Sequence, residues 1–159
     1  MKTLIASAAF LVISAGFAAA SPGHSGGHDE MAVGEPGDAA KATRTINVTM
    51  FESDDGEMLF QPNSFEVKEG QTNRFNILNK GELDHEFVLD EKAKNAEHRE
   101  LMMKFPEMEH DDPNAIRLEA GKRGNIVWTF SNTGTFEFAC LIPGHYESGM
   151  HGAVEVSAK

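Results

Sequence analysis

From Arg44 onward, apolar side chains recur at every second position. Ile46, Val48 and Met50 alternate with Asn47 and Thr49, and Phe65 and Val67 flank Glu66. Phe75 and Ile77 follow, then His85, Phe87 and Leu89, then Ile126, Trp128 and Phe130. Phe136, Phe138 and Cys140 form the next set, and Val154 and Val156 the last. A period of two places such residues on one face of a strand. Gly, Asn and Pro lie between the runs, so the pattern predicts an all-β antiparallel sandwich or barrel. One segment departs from it. Asp90 to Phe105 is charged, lacks β-branched residues and carries Ala93, Ala96, Leu101 and Met102; it predicts a short helix ended by Pro106. The chain shows no internal repeat.

The N-terminal region follows other rules. Met1-Lys2-Thr3 is a short basic start, Leu4 to Phe17 is an apolar run, and Ala18-Ala19-Ala20 offers a small-residue cleavage site before Ser21. Residues 1–20 therefore read as a secretory signal peptide, with an uncleaved anchor as the alternative. Residues 21–43 are rich in Gly, Ala, Pro, Ser, His and acidic side chains and are expected to form a flexible tail. Order is expected to begin near Arg44, so that residues 44–159 make one domain.

Composition narrows the partners. The formal charge is −11, and Lys2 is the only charged side chain among the first twenty residues, so a processed chain would be still more acidic. That charge argues against nucleic acid and anionic membranes as partners. It suits cations, a basic protein or simple solubility. The expected product is an exported, periplasmic monomer, free of the membrane after cleavage.

Cys140 is the single cysteine. A lone thiol in an oxidising compartment calls for burial, pairing with a partner, or metal ligation. Strand parity places Cys140 on the same face as Phe136 and Phe138, and His85 on the face of Phe87 and Leu89. A thiol and an imidazole thus enter one end of an apolar core from different strands. After the cysteine the chain reads Cys140-Leu141-Ile142-Pro143-Gly144-His145-Tyr146-Glu147-Ser148-Gly149-Met150, a C-x4-H-x4-M loop in which Pro143-Gly144 would turn the backbone. Thiolate, two imidazoles and a weak thioether are the donors of an electron-transfer copper site. Zinc is the competing metal, but structural zinc sites rarely use methionine.

This loop resembles the copper loop of cupredoxins and is nearest in spacing to the azurin type. The stretch Asn79-Lys80-Gly81-Glu82-Leu83-Asp84-His85-Glu86-Phe87 resembles the segment carrying the first ligand histidine of that family. The likeness runs from about Arg44 to the C-terminus. It implies a Greek-key β-sandwich with one type 1 copper ion near one end, held by His85, Cys140, His145 and Met150. Where many cupredoxins have Asn after the first histidine, this chain has Glu86, a carboxylate that would favour Cu(II).

A single cysteine in the loop excludes a binuclear copper centre. The chain is too short for the several domains of a multicopper oxidase or nitrite reductase, and no hydrolytic triad is legible, so no catalysis is expected. His24, His28 and Met31 in the tail, with His98, Met102, Met103, Met108, His110 and His151, exceed what one site needs. Additional, weakly bound copper is one reading of them; for Met102, Met103 and Met108, packing of the helix is the favoured one. This mixture also resembles small exported cupredoxins of copper tolerance. The function expected is copper handling in the cell envelope, with a diffusible electron carrier serving a redox partner protein as the alternative.

Overall fold

The computed structural model describes residues 31–106 and 112–159. Ten strands, β1 (Glu35–Pro36), β2 (Arg44–Glu52), β3 (Met58–Gln61), β4 (Ser64–Lys68), β5 (Thr72–Asn79), β6 (His85–Asp90), β7 (Ala115–Leu118), β8 (Arg123–Thr129), β9 (Gly134–Ala139) and β10 (His151–Ser157), build two five-stranded sheets among these residues. Their orders are β1-β8-β5-β2-β3 and β4-β10-β9-β6-β7. The predicted helix is α1 (Lys92–Lys104), ending two residues before Pro106. None of the described helices is long and apolar enough to cross a membrane.

The period-two residues meet between the sheets. Phe75, Phe87, Leu89, Trp128, Phe130, Phe138 and Val154 have no exposed surface. Four phenylalanine rings, Phe60, Phe65, Phe87 and Phe138, stack or meet edge to face at centroid distances of 5.0–5.9 Å. Such pairs add to what burial alone supplies.

The sandwich is not antiparallel throughout. β2 pairs with β5, and β4 with β10, in parallel register. The reason lies in the connections: after β3 the chain crosses to the other sheet as β4 before returning as β5, so β5 runs alongside β2 in the same direction. Order also begins upstream of Arg44. Val33 is wholly buried, β1 pairs with β8, and the Trp128 Nε1–H donates to the Val33 carbonyl at 3.2 Å. Met31 and Ala32 also pack against the core and Asn132 Nδ2 donates to the Ala32 carbonyl at 2.9 Å, so residues 31–36 dock through long-range contacts that a composition argument cannot see. The expected signal peptide, and the tail up to residue 30, lie outside the described residues.

Helix α1 covers the outer face of β6 and β9. Met102 is buried there with Val88, Ala139 and Leu141, so packing holds for Met102. It does not hold for Met103, which is 67% exposed: consecutive helical residues point about 100° apart, so only one of the two faces the sheet. Met108 lies outside the described residues. The helix also docks through polar groups. Asn95 Nδ2 donates to Glu137 Oε1 at 3.2 Å, the Tyr146 hydroxyl donates to Glu137 Oε2 at 2.9 Å, and the Arg99 guanidinium stacks 4.1 Å from the Tyr146 ring centre. These contacts bind α1 to the loop that follows Cys140.

Candidate metal centre

The β9–β10 connection is a hairpin loop with Cys140 and Met150 facing each other at its base. The Cys140 N–H donates to the Met150 carbonyl at 3.0 Å, and the Met150 N–H to the His145 carbonyl at 3.1 Å. Gly144 has φ +88°, a left-handed turn that suits glycine after Pro143. The His145 N–H closes that turn on the Ile142 carbonyl at 3.0 Å. The loop thereby folds His145 back over the cysteine. Met150 is fully buried.

His85 comes from the other side, at the start of β6. Parity holds: His85, Phe87 and Leu89 are all buried towards the core, as are Phe138 and Cys140. The ring nitrogen Nδ1 of His85 lies 3.2 Å from Nδ1 of His145, which lies 3.3 Å from the Cys140 sulfur. One donor atom from each of His85, Cys140 and His145 falls within 4.8 Å of the other two, and all three residues are buried. Among the described residues no other cluster of His, Cys, Asp and Glu side chains has this geometry.

Three elements support the cluster. The Glu86 N–H donates to the Cys140 sulfur at 3.3 Å, tying the backbone beside His85 to the cysteine side chain. By strand alternation the Glu86 side chain is on the opposite face from His85, opposite Arg117 in the β6–β7 register. Asn79, wholly buried, donates to the carbonyls of Leu83 at 2.7 Å and Leu118 at 2.9 Å and accepts from the Gly81 N–H at 3.0 Å, which shapes the turn leading to His85. Glu52, the last residue of β2, accepts from the His85 Nε2–H at 2.9 Å and from the Glu82 and Leu83 N–H groups at 2.9 and 3.1 Å. Sequence reading missed both residues. A polar Asn ending an apolar strand before Lys-Gly was a legible signal for Asn79, whereas nothing local to Glu52 announces a partner more than thirty residues away.

The electrostatics of the pocket suit a cation. Burial pushes the Cys140 thiol up to about 12, with the N–H donors of Glu86 and Ile142 opposing it. Burial lowers both imidazoles below their ordinary value. At His85 the Glu52 carboxylate opposes the effect, and at His145 the neighbouring His85 adds to it. For Glu52, burial acts upward but is outweighed by the backbone donors of Glu82 and Leu83 and by His85, so it stays anionic near neutrality. Two neutral imidazoles and a thiol converge in a space from which water is largely excluded. That donor set fits copper: soft sulfur and borderline nitrogen in a closed pocket, with the three donor atoms already gathered.

Around His145, Leu141 is fully buried beneath α1, whereas Pro143 is exposed and Ile142 and Tyr146 are half-buried. His151, in surplus to the site, is exposed and stacks on Tyr146 at 4.6 Å. His24, His28 and His110 lie outside the described residues.

A two-sheet sandwich with a buried His-Cys-His pocket at one end defines a cupredoxin-like copper protein. Residues 47–157 match the model of the copper-binding plastocyanin/azurin family, and the chain belongs to that family. It is 45% identical to the copper-resistant cuproprotein CopI of Rubrivivax gelatinosus, over 98% of this chain and 99% of that one. It is 37% identical to the CopI of Pseudomonas aeruginosa, over 87% of each. Among solved structures it is similar to dithionite-reduced auracyanin of Roseiflexus castenholzii, with a TM-score of 0.60 and 25% identity over 73% of this chain and 98% of that one. The protein is thus a copper-binding member of a β-sandwich family, as the sequence led us to expect.

Proposed function

We propose that this is an exported copper-tolerance protein in which His85, Cys140, His145 and Met150 would hold one copper ion through two imidazoles, a thiolate and a thioether. The observation that carries the reading is the buried gathering of three soft and borderline donor atoms within 4.8 Å of one another. Two further facts support it: the near-full-length likeness to copper-resistant cuproproteins, and an N-terminal sequence with the features of a signal peptide. Copper in such a pocket would supply one-electron redox chemistry. The protein's own part is to gather the donors and to hold Met150 at the hairpin base. Its acidic surface, at a formal charge of −11, would also concentrate cations nearby. No catalytic step is assigned to the chain. Its working compartment in this reading is the periplasm, reached after removal of residues 1–20.

Copper harms an envelope by occupying exposed soft ligands of other proteins, and a pocket that sequesters the ion lowers that exposure. Deleting the gene is therefore expected to lower the copper concentration that halves growth severalfold, while respiration at low copper stays normal. A copy carrying Cys140→Ser should not restore tolerance. Normal tolerance, with loss of an electron-transfer pathway at ordinary copper, would overturn this function in favour of a diffusible electron carrier.

A further inference from the structure

The imidazole of His85 is held from behind by a carboxylate, and we propose that Glu52 is a positioning residue for the copper site: it fixes which nitrogen of His85 faces the pocket and biases bound copper towards its oxidised state. The inference rests on the reading of His85 as a ligand. Its basis is the orientation of the ring. Nδ1 lies 3.2 Å from the pocket nitrogen of His145, while Nε2 lies 2.9 Å from Glu52 Oε1. An ionised carboxylate only accepts hydrogen bonds, so Nε2 carries the hydrogen and Nδ1 turns its lone pair into the pocket. The His85 side chain has no exposed surface, so water does not take over the contact.

Glu52 is itself fixed. The N–H of Glu82 binds one carboxylate oxygen at 2.9 Å, and the N–H of Leu83 binds the other at 3.1 Å. A side chain at Gly81 would overlap the carboxylate, so glycine there leaves the seat that Glu52 occupies. The carboxylate thus joins the end of β2, the turn before β6 and the first residue of β6. Carboxylate partners of metal-binding histidines set ring orientation and raise ligand basicity. A negative charge one imidazole away from the ion also favours the more positive oxidation state.

Three substitutions test this, read on metal-free and copper-loaded full-length protein. In Glu52→Gln the amide oxygen still accepts the Nε2–H but the charge is gone. The Cu(II)-to-Cu(I) affinity ratio should fall roughly tenfold, which raises the reduction potential by about 59 mV. In Glu52→Ala both effects are lost, and copper affinity should fall on the order of 10–100-fold. Nitrogen NMR of the metal-free protein should show His85 protonated at Nε2 in the parent and in Glu52→Gln, and a mixture of tautomers in Glu52→Ala. Gly81→Ala leaves Glu52 in the chain but fills its seat, and should reproduce the tautomer mixture. Unchanged potential, affinity and ring nitrogen shifts in Glu52→Ala, in protein whose parent shows the thiolate-to-copper band, would overturn the inference and leave the ligand reading intact. A parent without that band would overturn the ligand reading, and the metal-free nitrogen shifts would then decide whether Glu52 fixes the ring.

Discussion

Cys140→Ser is expected to abolish the intense visible band of the copper-loaded protein and to lower copper affinity by several orders of magnitude. The sulfur is the one soft anionic donor in the cluster; hydroxyl oxygen is harder, and its proton is far more difficult to remove. The remaining donors, two imidazoles and a thioether, are neutral. The fold should survive, because serine is close in size to cysteine, its hydroxyl oxygen can accept from the Glu86 N–H in place of the sulfur, and Met150 meets residue 140 through backbone groups. Absorption spectroscopy and a competition titration with a chelator of known affinity read both effects. A full-strength band in Cys140→Ser would remove the thiolate from the assignment.

The second large effect is on stability. Phe138→Ala should cost about 3–5 kcal/mol in denaturant melts of the metal-free protein, the range for truncating a buried aromatic ring. Phe138 has no exposed surface, and its ring contacts Phe60 at 5.1 Å, Phe65 at 5.0 Å and Phe87 at 5.3 Å, centroid to centroid. The three partners come from β3, β4 and β6, so no single neighbour can close the void. Phe138 also lies two residues before Cys140 on the same strand face, so the cavity would open directly beneath the donor cluster. Copper loading, which favours the folded state by mass action, should recover part of the loss. A cost below about 1 kcal/mol would mean that the site collapses more easily than this packing implies.

The parts legible in the sequence were those that strand parity controls. His85 was placed from Phe87 and Leu89, and Cys140 from Phe136 and Phe138, because alternation along one strand is a local rule and each of those strands has a strongly apolar inner face. The helix was legible from composition and from Pro106. Its docking was not: α1 is held largely by Asn95 and a single buried Met102 against the sheet and by Arg99 on the loop after Cys140, so its apolar stripe is faint. β3 and β7 are four residues each, too short for a period to declare itself. Val33 and β1 were hidden in a Gly- and Pro-rich stretch whose order depends on Trp128, nearly a hundred residues away. Glu52 was invisible for a related reason, since its meeting with His85 is a product of sheet topology.

The central claim is that this pocket binds a single copper ion through the Cys140 thiolate, and it is tested most directly by titrating the metal-free protein with Cu(II) while recording absorbance and proton release together. Burial holds the free thiol near 12, so at pH 7.5, more than four units below that value, it is protonated, and the two imidazoles, lowered below 6.5, are largely neutral. A metal-bound cysteine is deprotonated. The visible band should therefore saturate at one equivalent, with about one proton released per copper, and apparent affinity should rise about tenfold per pH unit across the neutral range. Copper uptake with no band and no proton release at the first equivalent would contradict the account.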